Sequence, residues 1–188
     1  LPDPNALLTR SEVQSTKIYD RTGEHLLYEI HGEKKRTLVK LEEIPEAMKW
    51  ATISVEDQQF YKHSGFNPVR IVKGVVLGTL LRGRAQGGST ITQQLVKNAI
   101  LTNERSIVRK VKELMLAVAI EQRFTKDEIL QLYLNEIPYG STNYGVESAA
   151  QSYFGKSVRE ITLEEAATLA ALPKAPTRYL NDPEALDG

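Results

Sequence analysis

The sequence predicts a mainly α domain with a minor β element at its N-terminus. Two capping boxes, one long amphipathic stretch and one early pair of strand-like runs carry that prediction. Thr125 with Glu128, and Thr162 with Glu165, each place a threonine three residues ahead of a glutamate, directly before an apolar run. In that arrangement hydroxyl and carboxylate satisfy the N–H groups that a helix start leaves unpaired. Over 104–123, Ile107, Val111, Leu114, Met115 and Val118 recur at helical spacing, which predicts one apolar stripe. Residues 17–30 read as two short strands around Arg21, Thr22 and Gly23.

The remaining elements follow in chain order. Residues 1–14 form a polar lead-in with two prolines, and 33–36 a charged loop. Pro45 suits a helix start, and Ala47, Met48, Trp50, Ala51, Ser54 and Val55 supply an apolar or small face. That helix brings Glu56 and Asp57 to its C-terminal end, where the helix dipole disfavours anions. Residues 66–84 thread Arg70, Lys73, Arg82 and Arg84 through an apolar, glycine-softened run. Two readings fit it: a core helix with a basic edge, or a segment lying in a membrane interface. At 86–98 two glycines release the backbone, Ser89 or Thr90 can cap a helix, and Thr92, Gln93, Gln94 and Lys97 follow. Such a helix start is a natural seat for phosphate, although a turn before an ordinary capped helix is the simpler account of Gly-Gly-Ser alone. After the first capping box come Ile129, Leu130, Leu132 and Tyr133, then a turn-rich loop at 138–144. A helix from Gly145 to about Tyr153 is stopped by Gly155, and an Ala/Leu-rich helix after Thr162 ends at Pro173. The rest, with Pro176 and Pro183, reads as an extended tail.

With 188 residues, 41% of them hydrophobic and 26% charged, the chain can bury a substantial core. Its zero net charge hides an uneven distribution. Residues 1–57 hold 8 basic and 11 acidic residues (−3), 58–112 hold 10 and 1 (+9), and 113–188 hold 6 and 12 (−6). The basic middle calls for an anionic partner. No cysteine is present, so disulfides and thiolate metal sites are excluded. No apolar run reaches the ~18 residues of a membrane span, and the first residues do not form a signal peptide. His25, His31 and His63 lack zinc-site spacing, and neither a nucleotide P-loop nor a Gly-x-Ser-x-Gly elbow occurs. The charge of the basic segment leaves nucleic acid open as a partner, but the segment has no RNA-recognition or zinc-finger signature, and its aromatic residues cluster at one end.

Two groups of residues could do chemistry. Arg109, Lys110 and Glu113 stand at i, i+1 and i+4 of the long helix, so both cations reach the carboxylate. Ordinary surface ion pairs, worth roughly 0.3–0.5 kcal/mol each, are the plain alternative. Glu56 and Asp57 precede Phe60 and His63, a setting that suits proton transfer; a polar helix end and a structural histidine are the plain alternatives.

Taken together these segments resemble the peptidoglycan glycosyltransferase domain of class A penicillin-binding proteins, glycosyltransferase family 51. Glu56, Asp57, Phe60, His63 and Gly65 match Glu-Asp-x-x-Phe-x-x-His-x-Gly. Residues 88–98, with Ser89, Ile91, Gln93, Gln94 and Lys97, are similar to the Gly-x-Ser-x-Ile-x-Gln-Gln motif. Arg109, Lys110 and Glu113 match Arg-Lys-x-x-Glu, 126–135 resembles the fourth motif and 170–173 the fifth. Asn67 stands where Asp is common and Gly74 where Ala is common.

The resemblance implies a lysozyme-like fold, with a larger helical head lobe and a small membrane-facing jaw that includes about 66–84. It places the glycosyltransferase domain at 17–180, after a lead-in at 1–16 that follows a removed membrane helix. By the same resemblance, residues 181–188 are expected to begin a linker to a transpeptidase domain. It implies polymerisation of lipid II by inverting transfer, with release of undecaprenyl pyrophosphate, on the outer face of a bacterial cytoplasmic membrane, and sensitivity to moenomycin. Glu56 and Glu113 are the expected catalytic residues, Glu56 as general base. Asp57, Phe60, His63, Ser89, Gln94, Lys97, Arg109, Lys110 and Asn135 are the expected substrate contacts. Mg²⁺ or Mn²⁺ shared between carboxylates and pyrophosphate is compatible with this chemistry, and no residue set requires it. The competing readings are a lysozyme-like hydrolase or lytic transglycosylase, which has no need of Lys97, Arg109 and Lys110, and a non-enzymatic binder of anionic membrane or nucleic acid.

Overall fold

The computed structural model describes residues 37–68, 88–101, 107–140 and 143–173, together with two strands nearer the N-terminus. Strands β1 (Thr16–Tyr19) and β2 (Leu26–Ile30) pair antiparallel, Thr16 opposite Ile30, with a register shift between Ile18 and Tyr19. The expected front hairpin therefore forms. Its turn, the basic segment at 69–87, the expected jaw lobe and the tail beyond 173 lie outside the described residues.

Everything else described is helix and connection, as the periodicity requires. The helices are α1 (Glu46–Glu56), α2 (Ile91–Ala99), α3 (Ile107–Glu121), α4 (Lys126–Glu136), α5 (Val146–Phe154) and α6 (Leu163–Ala171). Both predicted capping boxes form. Glu128 N–H donates to Thr125 Oγ1, and the Glu128 carboxylate takes Thr125 N–H at 2.7 Å. Thr162 and Glu165 repeat the pattern at the start of α6. A third box begins α2, where Thr90 is the cap and Gln93 its partner. Each cap is worth about 1 kcal/mol, enough to set where a short helix begins.

α1 packs along α6, while α2 lies against both α3 and α4. Met48 and Ile53 of α1, Ile91, Leu95 and Val96 of α2, and Ile129, Leu130 and Leu134 of α4 fill the shared core. Burying each such side chain contributes roughly 1.5–3 kcal/mol. The α1 face differs from the one expected. Met48, Thr52, Ile53 and Glu56 point inward, whereas Trp50 and Ser54 are exposed and Trp50 meets the Tyr61 ring.

α3 corrects the sequence more sharply. Val111 and Met115 of the expected stripe are 52% exposed each, and Val108 beside them is also outward. The inward face is Glu113, Leu116, Ala117 and Ile120, spaced i, i+3, i+4 and i+7. The helix is apolar on two sides, so period counting cannot choose between them. The face carrying a pairable carboxylate and small Ala117 is the one that fits the core.

The chain at 37–41, which runs into a 3-10 turn at Leu41–Glu43, is stitched onto α4 and α5. Asn135 brackets Val39, taking its N–H at 2.9 Å and donating to its carbonyl at 2.8 Å. Gln131 takes Leu41 N–H, and Ser148 takes Thr37 N–H. Gly145, at φ +82, lies so near this corner that a Cβ would meet the Asn135 carbonyl oxygen at 2.7 Å. Buried Glu147 holds the following turn through Val158 N–H at 2.8 Å and the Ser157 hydroxyl.

Candidate active site

The site is assembled around one short segment, 89–94, that ends a connection and begins α2. Its local sequence decides its shape. Thr90 accepts Gln93 N–H and donates its own hydroxyl to the Gly65 carbonyl at 2.7 Å. The helix start is thereby locked to the loop after α1. Gly65 can approach because it has no side chain: at φ +87 a Cβ would meet the Ala117 backbone of α3 at 2.9 Å. Loop, α2 and α3 become one frame.

Asp57 closes that frame. Its Oδ2 accepts Ile91 N–H at 3.2 Å and lies 2.8 Å from His63 Nε2. Asp57 is fully buried. The expected phosphate seat at this helix start is thus corrected: the protein's own carboxylate occupies it, for the same dipolar reason that phosphate would. Phe60, like Asp57, lies wholly in the interior, at 0% exposure. Phe60 is roofed by the Lys126 ammonium, 4.5 Å from its ring centre. Lys126 in turn pairs with Glu121 at 2.7 Å, and Glu121 accepts the Thr92 hydroxyl. Asn135 engages its amide with the backbone of Val39. His63 is held by Asp57 in the same interior corner.

Glu56, one residue earlier, ends α1 in a largely buried position. The helix dipole opposes a carboxylate there. Gln94 offsets this: its Nε2 donates to Glu56 Oε2 at 2.6 Å. On its other side the Gln94 carbonyl oxygen receives the Tyr133 hydroxyl at 3.3 Å. Tyr133 and Tyr139 were absent from the sequence-derived site, yet both phenols lie in the field of Glu56. Burial first, and then the negative charge of Glu56, pushes the pKa of both well above the ordinary tyrosine range. Both therefore keep their protons. The backbone carbonyl of Tyr139 is taken by the Tyr153 hydroxyl at 2.8 Å. The only sequence signal for Tyr133 is its place in the fourth motif, four residues after Ile129 on the inward face.

At the other end of 89–94, Ser89 meets the cations. Lys110 Nζ donates to Ser89 Oγ at 2.8 Å and pairs with Glu113 Oε2 at 2.9 Å. Arg109 Nε lies 3.2 Å from Glu113 Oε1. Glu113 is buried, Lys110 half-exposed and Arg109 between them. The structure thus brings Arg109, Lys110, Glu113 and Ser89 together, and separately Glu56 and Gln94. Lys97 stands exposed on α2, three residues past Gln94, and joins no ion pair among the described residues. Among the described residues no group of three or more His, Cys, Asp or Glu could hold a metal ion. No described helix is long and apolar enough to cross a membrane.

Comparison with known proteins identifies the family. The chain is 49% identical over 179 residues to penicillin-binding protein 1A of Aquifex aeolicus (strain VF5), covering 95% of this chain and 24% of that protein. It is 49% identical over 163 residues to penicillin-binding protein 1A of Escherichia coli (strain K12), covering 87% and 19%. Against penicillin-binding protein 1A/1B of Bacillus subtilis (strain 168) the identity is 44% over 166 residues, covering 88% and 18%. The chain thus spans a quarter or less of the length of these relatives. The transglycosylase family pattern matches residues 23–187, which takes in the segment 89–94 with the carboxylate and the cations attached to it, and the chain belongs to the transglycosylase family.

Proposed function

We propose that this chain is the peptidoglycan glycosyltransferase part of its protein, and that it lengthens glycan strands from lipid II. One observation carries the reading. The segment 89–94 holds a largely buried carboxylate through Gln94 and a cation cluster through Ser89. Inverting transfer from a lipid pyrophosphate needs those two functions side by side. A base must take the proton of the attacking sugar hydroxyl, and positive charge must meet the pyrophosphate that leaves.

Glu56 is the base in this reading. As the acceptor oxygen bonds to the anomeric carbon, its proton passes to Glu56 and the bond to pyrophosphate breaks with its electron pair. Arg109 and Lys110 meet the charge that develops, Ser89 helps to hold Lys110, and Lys97 reaches the lipid-linked donor from the exposed side of α2. Glu113 orients the two cations. Asp57, Phe60, His63 and Asn135 support these groups from behind. The substrate is anchored in a bilayer, so the protein works at the outer face of a bacterial cytoplasmic membrane. A transpeptidase domain accompanies it in the full-length chain, and Mg²⁺ or Mn²⁺ dependence is read by adding a chelator.

The test is polymerisation of purified lipid II with product lengths resolved on a gel. The intact protein lengthens strands, and Glu56→Gln folds to the same melting profile and makes none. Full polymerisation by Glu56→Gln overturns the base assignment. Shortening of preformed glycan by the wild-type protein overturns transfer in favour of hydrolysis.

A further inference from the structure

We propose that Tyr133 is a positioning residue for the Glu56 carboxylate and acts through the side chain of Gln94; the inference rests on the reading of Glu56 as base. Tyr133 lies on α4 with no surface exposure, packed as a core residue. Its hydroxyl gives the Gln94 oxygen a donor at 3.3 Å, and Gln94 Nε2 reaches Glu56 Oε2 at 2.6 Å. Three helices therefore meet in one hydrogen-bonded chain, with α4 at its back, α2 in the middle and α1 at the reacting end.

The chain has a direction. A glutamine side chain presents an acceptor at one end and donors at the other, and the two are nearly the same shape. Turned around, Gln94 would face the Glu56 carboxylate with its oxygen, acceptor against acceptor. A hydroxyl that donates to the amide oxygen on the far side favours the orientation that presents N–H to Glu56. Tyr133 is such a donor at every working pH, because burial and the nearby negative charge hold its proton in place. The 3.3 Å contact is long for a hydroxyl donor, which suits steering the amide more than clamping it. What results is a carboxylate whose Oε2 is fixed by an amide N–H.

Tyr139 supplies an internal control. It too is fully buried and feels Glu56, yet its hydroxyl makes no hydrogen bond among the described residues. Removing either hydroxyl changes one buried oxygen near the same carboxylate. Only Tyr133 has a path through Gln94.

The experiment measures initial rates of lipid II polymerisation by the intact protein as wild type, Tyr133→Phe, Tyr139→Phe, Gln94→Leu and Tyr133→Phe/Gln94→Leu. The expected result is a ~10-fold fall in kcat for Tyr133→Phe with KM for lipid II unchanged, and no fall for Tyr139→Phe. In the Gln94→Leu background Tyr133→Phe costs nothing further, because its route is already cut. Unchanged kcat in Tyr133→Phe, equal losses in the two tyrosine variants, or losses that multiply in the double variant each overturn the proposal. Side-chain amide signals of Gln94 in a nitrogen-labelled sample give a readout apart from activity, moving in Tyr133→Phe and staying put in Tyr139→Phe. They separate this inference from the reading beneath it. Polymerisation by Glu56→Gln sinks that reading, whereas Gln94 signals unmoved by Tyr133→Phe sink the inference whatever the activity.

Discussion

Asp57 accepts the backbone N–H of Ile91 at 3.2 Å, so the residue after α1 supplies the anion at the start of α2. The same oxygen lies 2.8 Å from His63 Nε2. One buried carboxylate thus ties two helices and a loop together, immediately beside Glu56. Asp57→Ala leaves a helix-start N–H and a histidine without their charged partner, at a cost of about 2–3 kcal/mol. The expected outcome is a melting temperature lower by about 5–10 °C. An unshifted melt would show that water replaces the carboxylate at no cost.

Glu113 is the only acid within reach of both Arg109 and Lys110 among the described ion pairs. Glu113→Gln keeps the size and removes the charge that aims both cations. Lipid II turnover is expected to fall about 10²-fold, the scale of losing one preorganised donor. Glu113→Asp should recover part of the loss. Turnover equal to wild type in Glu113→Gln would mean that the cations hold their places without it.

Lys97 is exposed and joins no ion pair among the described residues, so its removal should leave stability within about 0.5 kcal/mol of wild type. In the proposed function it contacts the lipid-linked donor. Lys97→Ala is then expected to bind a phosphoglycolipid inhibitor such as moenomycin more weakly, as measured by titration calorimetry. Unchanged affinity removes Lys97 from the donor site.

The orientation of α3 can be checked by stability alone. Val111→Ser and Met115→Gln replace exposed side chains and should change unfolding free energy by less than about 0.5 kcal/mol. Leu116→Ala and Ile120→Ala open cavities in the core and should cost about 2–5 kcal/mol each in urea unfolding. The reverse ranking would restore the stripe read from periodicity.

Alkaline pH probes half-exposed Tyr61 and buried Tyr133 and Tyr139. Tyr61 is pushed up to about 12, by burial first and then by its hydrogen bond to Asp127 at 2.9 Å. Tyr133 and Tyr139 are also raised, burial again leading. In each case the folded-state value lies above the unfolded value of about 10. The neutral phenol therefore contributes stability in full below pH ~10, and for Tyr61 that contribution is lost as pH rises through about 12. Urea unfolding followed from pH 8 to 11.5 is expected to show stability falling from about pH 10, less steeply in Tyr61→Phe. A flat profile would contradict the raised Tyr61 phenol.

Local chemistry determined much of this protein. The threonine and glutamate pairs at 125/128 and 162/165 carry their own instructions, because a capping box is made by residues three apart. The same holds for Arg109, Lys110 and Glu113, which one turn of helix brings together, and for Gly155 at φ +68 ending α5. The ordered motifs likewise marked Glu56, Gln94 and Ser89 from the chain alone. Only the tertiary structure decided which way these residues face. The apolar side of α3 could not be chosen from its periodicity, and α2's start was filled by Asp57 from 34 residues away. The partners of Glu56 come from 38 and, through Gln94, a further 39 residues along the chain. Contacts at such separations depend on how helices pack. A period of 3.6 residues specifies a face, and the neighbour that covers it is specified by the fold.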